Sequence, residues 1–306
     1  MPRLWQENVR LAPRTRYRIG GPTPRLADVG NEAELRRALS ELAGESFLVL
    51  GGGANTLVSD EGVRQPVLVL EGDFKQFEVE TDAFVAGAGV PIPMVVQAAR
   101  REARRDWHLL EAVPGTMGGA LTMNAGTKEW GVWSHVDWVE AVLPGTVATV
   151  RVTAADVNPG YRHTHAPEGT LFLRARLRAA PGDRKRIERA HLEYRDEKVR
   201  NQPYDHPSCG SVWTNPPGHS VWKLIDEVGM RGAVRGGAQI SDRHTNFIIN
   251  VGAATAEDIT ELMLETRRRV RDQLGIVLHP EVRLWGFPDD LLRELGALGP
   301  SEDIHP

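Results

Sequence analysis

The sequence predicts two or three packed units in which short buried strands share the core with a few well-marked helices. Three observations predict it. The chain has 306 residues, more than one hydrophobic core usually holds. Brief apolar runs, at residues 47–50 and 67–70, are bounded by turn residues in the manner of buried strands. Residues 255–274 carry a helical period with Ile259, Leu262 and Met263 on one face, Thr255 and Asp258 placed as a capping box, and Gly275 at the C-terminal cap.

Between these landmarks the pattern continues. Strands are expected at residues 77–80 and 84–86, and again at 138–143, 147–152 and 171–177. A helix is expected at 91–105, with a proline at its start and Met94, Val95, Ala98 and Ala99 on one face. A charged helix over 184–200 leads to a further unit, with a helix at 220–228, a buried strand at 246–251 and an alternating strand at 281–285. There are no repeats and no low-complexity tract.

Composition narrows the function. Hydrophobic residues make up 41% and charged residues 25%, as in ordinary globular proteins. A net charge of -4 offers a nucleic acid no basic footprint. No apolar run approaches the roughly 20 residues that span a bilayer, and the first ten residues lack a signal peptide's apolar core. Cys209 is the one cysteine, so an intrachain disulfide is excluded and a reducing cytoplasm is the expected location.

Glycine is the informative excess, with 31 residues clustered in a few segments. Three of these are Arg18-Ile19-Gly20-Gly21, Gly51-Gly52-Gly53-Ala54-Asn55-Thr56, and Pro114-Gly115-Thr116-Met117-Gly118-Gly119-Ala120. Successive glycines let backbone N–H groups converge on an anion because no Cβ blocks the approach. Each segment alone reads equally as a tight turn between strands; three within 126 residues favour a large phosphate-bearing ligand. None has the G-x-G-x-x-G spacing of a Rossmann dinucleotide site, and no Walker motif is present.

Five polar groups stand out. Arg162, after Asn158-Pro159-Gly160-Tyr161, is either a fork for a carboxylate or phosphate or half of a surface ion pair. Ser211 follows Gly210 in a small-residue turn, where a hydroxyl is either a turn cap or, beside a cation, a proton donor. Glu281 sits among apolar residues and is either paired with an arginine such as Arg283 or part of a site. His206, Cys209 and His219 match no standard zinc spacing, so no metal is expected. Residues 267–271 form a basic run on the long helix, a solvated face or an anion site. No G-x-S-x-G elbow exists, which leaves a hydrolase triad unsupported.

In this order and at these separations, the segments from about residue 14 to about residue 286 resemble the UDP-N-acetylenolpyruvoylglucosamine reductase family. Arg18-Ile19-Gly20-Gly21-Pro22 is similar to its opening signature. Gly51, Gly52, Gly53, Ala54, Asn55, Thr56 and Leu57 resemble its first flavin-phosphate loop, with Ala54 where serine is common. Pro114, Gly115, Thr116, Gly118, Gly119 and Ala120, followed by Asn124, Ala125 and Gly126, resemble its second. Tyr161-Arg162, Gly210-Ser211, Asn215-Pro216, His244 and Glu281 are similar to its later blocks.

The resemblance implies an α+β fold of the vanillyl-alcohol-oxidase kind. FAD lies between two α+β subdomains, at 1–72 and 73–200; a C-terminal α+β substrate domain covers 201–290, and 291–306 is a tail. Only about 49 residues separate Arg162 from Ser211, which resembles the shorter variant of the family without an extra substrate-capping loop. The implied activity is reduction of an enolpyruvyl UDP-sugar in peptidoglycan precursor synthesis, with NADPH as the electron donor. The implied catalytic residues are Arg162, Ser211 and Glu281, with a glutamate proton retained by burial. Tyr161, Arg162, Asn215 and His244 are the implied substrate contacts. The flavin loops at 51–56 and 115–120 contain no histidine or cysteine, so FAD is expected to be unlinked. Two alternatives stand beside this reading: a flavin oxidoreductase of the same fold with another substrate, and a non-catalytic nucleotide-binding protein.

Overall fold

A computed structural model of the chain describes residues 3–298. The chain begins with β1 (Gln6–Arg10), β2 (Pro22–Val29), α1 (Glu32–Leu42), β3 (Leu48–Val49), β4 (Thr56–Val58) and β5 (Val67–Leu70). It continues with β6 (Phe77–Val79), β7 (Ala83–Gly87), α2 (Ile92–Arg101), α3 (Met117–Thr122), β8 (Val136–Val142), β9 (Thr149–Val152), α4 (Ala154–Val157) and β10 (Leu171–Arg178). The rest is α5 (Arg184–Asn201), α6 (Val221–Glu227), β11 (Val234–Arg235), β12 (Ala238–Ile240), β13 (Ile248–Asn250), α7 (Ala256–Leu274), β14 (Arg283–Trp285) and α8 (Asp289–Leu295).

Two compact units result. The first comprises Met1–Asn8, Pro24–Gly52 and Gln65–Arg200; the second comprises Val9–Thr23, Gly53–Arg64 and Asn201–Pro306. In the first unit, β5 pairs in parallel with both β2 and β3, and α1 buries Leu35, Ala38 and Leu42. Its second sheet has the order β6-β7-β10-β8-β9 and is antiparallel throughout. α2 and α3 contribute Val95, Ala98, Met117 and Leu121 to a core with Phe84, Trp107, Trp133 and Phe172.

In the second unit, β14 lies parallel to β4, with Arg283 opposite Thr56. The sheet β11-β12-β13 packs with α6 and α7 around Ile225, Ile240, Ile259, Leu262 and Met263. The expected capping box is present: Thr255 Oγ1 accepts from the Asp258 N–H at 3.1 Å, and Asp258 Oδ2 accepts from the Thr255 N–H at 2.9 Å.

Some expectations need correction. α2 ends at Arg101 rather than 105, because Ala103 turns left-handed at φ +51 and Arg104 donates to the carbonyls of Thr81 and Ala179. Met94 is 44% exposed and does not share the buried face of Val95 and Ala98. α1 had not been anticipated, although Asn31 Oδ1 accepts from the Glu34 N–H in the usual N-cap manner. Among the described residues, no helix is long and apolar enough to cross a membrane.

Candidate active site

In the first unit, two of the glycine-rich turns lie face to face. A Cβ on Gly51 would stand 2.7 Å from Thr116 Oγ1, and one on Gly52 would stand 2.8 Å from the Gly115 Cα. Real Cβ atoms essentially never make such contacts, so the approach of these two turns requires hydrogen as the side chain. Residues 114–118 are fixed from behind by backbone hydrogen bonds. Ile92 N–H donates to Gly115 O at 3.0 Å, Met117 N–H to Val90 O at 2.9 Å, and Gly118 N–H to Ala88 O at 2.8 Å.

Gly119 differs. It is exposed inside α3, and an added Cβ would find nothing nearer than Thr116 Oγ1 at 3.9 Å. A glycine within a helix costs about 1 kcal/mol relative to alanine. The protein's own packing does not demand it, whereas a ligand lying against the backbone would. This is the local signature of a cradle for a phosphate-bearing cofactor, and it fits FAD.

The same unit ties Arg162 to the end of the second loop. Arg162 Nη1 donates to Gly126 O at 2.8 Å, and its Cζ lies 4.9 Å from the Tyr161 ring centroid. Asn124 Nδ2 donates to Gly160 O at 2.9 Å, and Asn124 Oδ1 accepts from the Trp133 N–H at 3.2 Å. The Ala125 N–H closes onto Ala120 O at 2.8 Å. A left-handed φ of +65 at Arg162 and +41 at Asn124 marks a backbone shaped by these contacts.

The second unit gathers the other predicted groups. The Glu281 N–H donates to Val212 O at 2.8 Å, so Glu281 is joined to the residue following Ser211. Asn55 Nδ2 donates to Glu281 O at 2.9 Å, and the Arg283 N–H donates to Asn55 O at 2.9 Å. Glu281 lies just ahead of β14 rather than within it, and is half-buried. Ser211 is also half-buried, and among the described residues no group bonds its hydroxyl. Thr56 and Leu57 are buried in β4, Ala54 is half-buried beside them, and Gly53 adopts φ +56 against Arg14 O.

Asn215 Oδ1 accepts from the Val221 N–H at 2.9 Å at the start of α6. His244 stands in a row of rings, 5.0 Å from Phe247 and 6.4 Å from Trp222 between centroids. Arg18 is exposed at φ +58 and lines a cavity of about 430 Å³ with His206, Pro207 and residues 250–254. Gly20 O accepts from the Ala12 N–H. Among the described residues, no three His, Cys, Asp or Glu side chains converge as a metal set.

Two contributors escaped the sequence reading. Buried Asn246 clamps the backbone beyond Ser211: its Oδ1 accepts from the Trp213 N–H at 3.0 Å and its Nδ2 donates to Trp213 O at 2.9 Å. The Cys209 thiol donates to Thr56 O at 3.2 Å and approaches Gly53 O at 3.6 Å, which joins the serine's turn to the first glycine loop. Nothing in the sequence around residue 246 shows that its side chain turns back onto residue 213.

The fold is that of vanillyl-alcohol-oxidase-type flavoproteins, and the paired glycine turns fit FAD. A family model described as "FAD binding domain" matches residues 24–151, and one described as "UDP-N-acetylenolpyruvoylglucosamine reductase, C-terminal domain" matches residues 202–285. A vanillyl-alcohol-oxidase-type flavoprotein from Myceliophthora thermophila shares the fold at a TM-score of 0.52 and 11% identity, over 92% of this chain and 78% of that one. The chain belongs to the UDP-N-acetylenolpyruvoylglucosamine reductase family. It is 39% identical to the Acidiphilium cryptum reductase over 92% of this chain and 91% of the relative. It is 42% identical to the reductase of Anaeromyxobacter sp. strain Fw109-5 over 90% and 87%. The crystal structure of the Thermus caldophilus reductase superposes at a TM-score of 0.81 with 35% identity, over 92% of this chain and 99% of that one.

Two expectations follow. Gly119→Ala should leave the apoprotein as stable as wild type, or up to about 1 kcal/mol more stable, while FAD binds at least about tenfold more weakly. Calorimetry of the apoprotein and fluorescence titration with FAD check both halves; unchanged FAD affinity would remove Gly119 from the cradle. The second concerns Cys209. Burial pushes its thiol up from an ordinary 9.0 to about 12, against smaller opposing hydrogen bonds from Thr56 and Tyr17. The neutral form is therefore favoured in the fold. Its contribution to stability is complete below about pH 9 and is lost as pH rises toward 12. Cys209 should resist a thiol-directed disulfide reagent at pH 8 until the protein unfolds; fast labelling of native protein would contradict this.

Proposed function

We propose that this chain reduces the enolpyruvyl group of UDP-N-acetylglucosamine enolpyruvate to UDP-N-acetylmuramate, a step of peptidoglycan precursor synthesis, with NADPH as co-substrate. Family membership along nearly the whole chain carries this reading. The grouping of Ser211 and Glu281 by the Glu281 N–H to Val212 O bond supports it. FAD, when bound, supplies hydride to the vinyl CH₂ carbon of the substrate, having taken it from NADPH in a separate half-reaction. The turns at Gly51-Gly52 and Pro114-Gly115-Thr116, with Gly118, Gly119 and Ala120, would hold its diphosphate, and Arg18, Gly53, Asn55 and Asn124 would complete the surroundings.

The protein's part is orientation and charge. Addition of hydride to the CH₂ carbon leaves an electron pair on the carbon alpha to the carboxylate, delocalised as an enolate. The Arg162 guanidinium is held in orientation by Gly126 O and the Tyr161 ring, and it offers positive charge to that enolate. Glu281 contributes in its protonated form, since a carboxylate would repel the developing charge. Ser211 delivers a proton to the alpha carbon, which completes a saturated lactyl ether, and then recovers a proton from solvent. A hydroxyl is a weak acid, so its fixed position does much of the work. The clamp of Asn246 on Trp213 and the thiol of Cys209 supply that position from both sides of Ser211. Tyr161, Asn215 and His244 contact the sugar nucleotide.

Ser211→Ala separates the two half-reactions. Stopped-flow spectra should show flavin reduction by NADPH within about twofold of wild type, and flavin reoxidation by the enolpyruvyl substrate slowed by about 10²–10⁴-fold. Equal reoxidation rates would remove Ser211 from the proton transfer.

A further inference from the structure

α5 carries an imidazole that the reaction does not use. The His191 side chain is fully shielded from solvent; its Nδ1 donates to Glu111 Oε1 at 2.8 Å, and its buried Nε2 has no partner among the described residues. A buried hydrogen bond to a carboxylate is directional, and it is among the stronger kinds. Here it crosses 80 residues of sequence to a single segment. The rings of His108 and His191 lie 6.0 Å apart edge to face, and His108 also meets Tyr194 at 5.9 Å. One face of α5, through His191 and Tyr194, is thus applied to residues 108–111.

That segment leads into the second glycine turn. Glu111 closes the 3-10 turn Trp107–Leu110 by donating its N–H to His108 O at 2.9 Å. Ala112 then takes a left-handed φ of +61, and Pro114 and Gly115 follow. The far side of the turn is held by the backbone bonds at Ile92, Met117 and Gly118. On the near side, the Val113 N–H to Leu110 O bond is local, Trp107, Leu110 and Val113 pack into the core, and the Glu111 carboxylate adds a directional hydrogen bond to another element. Because Gly115 and Gly52 are separated by less than the room a methyl group needs, a small shift on the near side changes the cradle directly.

We propose that the Glu111–His191 pair is a positioning device for the flavin: through it, α5 sets the placement of the Pro114-Gly115-Thr116 turn against Gly51-Gly52 and thereby the grip on FAD. The inference rests on the assignment of these turns to the FAD diphosphate. A role in packing alone would lower overall stability without changing the grip on FAD while the protein remains folded.

The test is the rate of FAD release from the holoenzyme after dilution. It is followed by the rise of flavin fluorescence at a temperature where circular dichroism shows every variant folded. His191→Phe keeps the ring and loses the donor; it should release FAD about ten- to a hundredfold faster. His191→Asn retains a donor near the Nδ1 position and should return the rate to within about threefold of wild type. Should His191→Phe fail to fold, Glu111→Ala, which leaves the core intact, is read in its place with the same expectation. Release from the folded Phe or Ala variant at the wild-type rate would overturn the proposal, as would Asn behaving no better than Phe. A wild-type protein that retains no FAD would instead refute the assignment of the glycine turns.

Discussion

The close approach of Gly51-Gly52 to Gly115-Thr116 is the constraint on which the first unit's site depends. At its closest point, Gly52 against Gly115, a Cβ on Gly52 would stand 2.8 Å from the Gly115 Cα, and on Gly51 one would press on Thr116 Oγ1. Around this point the unit is built to hold rather than to adapt. α2 and the segment after β7 fix the second turn by main-chain bonds, and β5 carries the strand that leads to the first, with the Leu50 N–H donating to Leu68 O at 2.9 Å. A diphosphate binds well to such a surface because its donors are oriented before it arrives, which lowers the ordering cost of association. The exposed Gly119, which nothing in the protein requires, extends the same surface outward.

In the proposed mechanism the second unit solves a different problem, the placement of a weak acid. Among the described residues, none hydrogen-bonds the Ser211 hydroxyl. Its neighbours are held instead: Cys209 by the carbonyls of Gly53 and Thr56, Val212 by Asn246 and Glu281, and Trp213 by the Asn246 amide. Parallel pairing of β14 with β4 then ties Glu281 and Asn55 to the same patch of backbone. Immobilising the flanks leaves the hydroxyl able to turn toward a substrate, while its origin is fixed. This suits a proton donor that must act through geometry more than through acidity.

Much of this was legible in the sequence where the cause is local. The long helix with its Thr255–Asp258 box and Gly275 cap, the apolar run of β5, and the glycine turns themselves follow from residues within a few positions of one another. The boundary of α2 was not, because it is set by Arg104 reaching carbonyls at Thr81 and Ala179. α1 has a local N-cap at Asn31 and an apolar period at Leu35, Ala38 and Leu42, but its charged residues mask that period. For the site, residue types and order were legible, and pairings were not. No periodicity joins Gly52 to Gly115, Asn246 to Trp213 or His191 to Glu111, since each is created when distant segments pack.

The central claim is that the paired glycine turns grip the cofactor by its phosphates. A crystal structure of the FAD-bound enzyme tests it most directly. The account predicts diphosphate oxygens within about 3.2 Å of main-chain N–H groups in both turns, those at Gly51-Gly52 and at Pro114-Gly115-Thr116. A diphosphate bound elsewhere, with both turns facing only solvent, would contradict it.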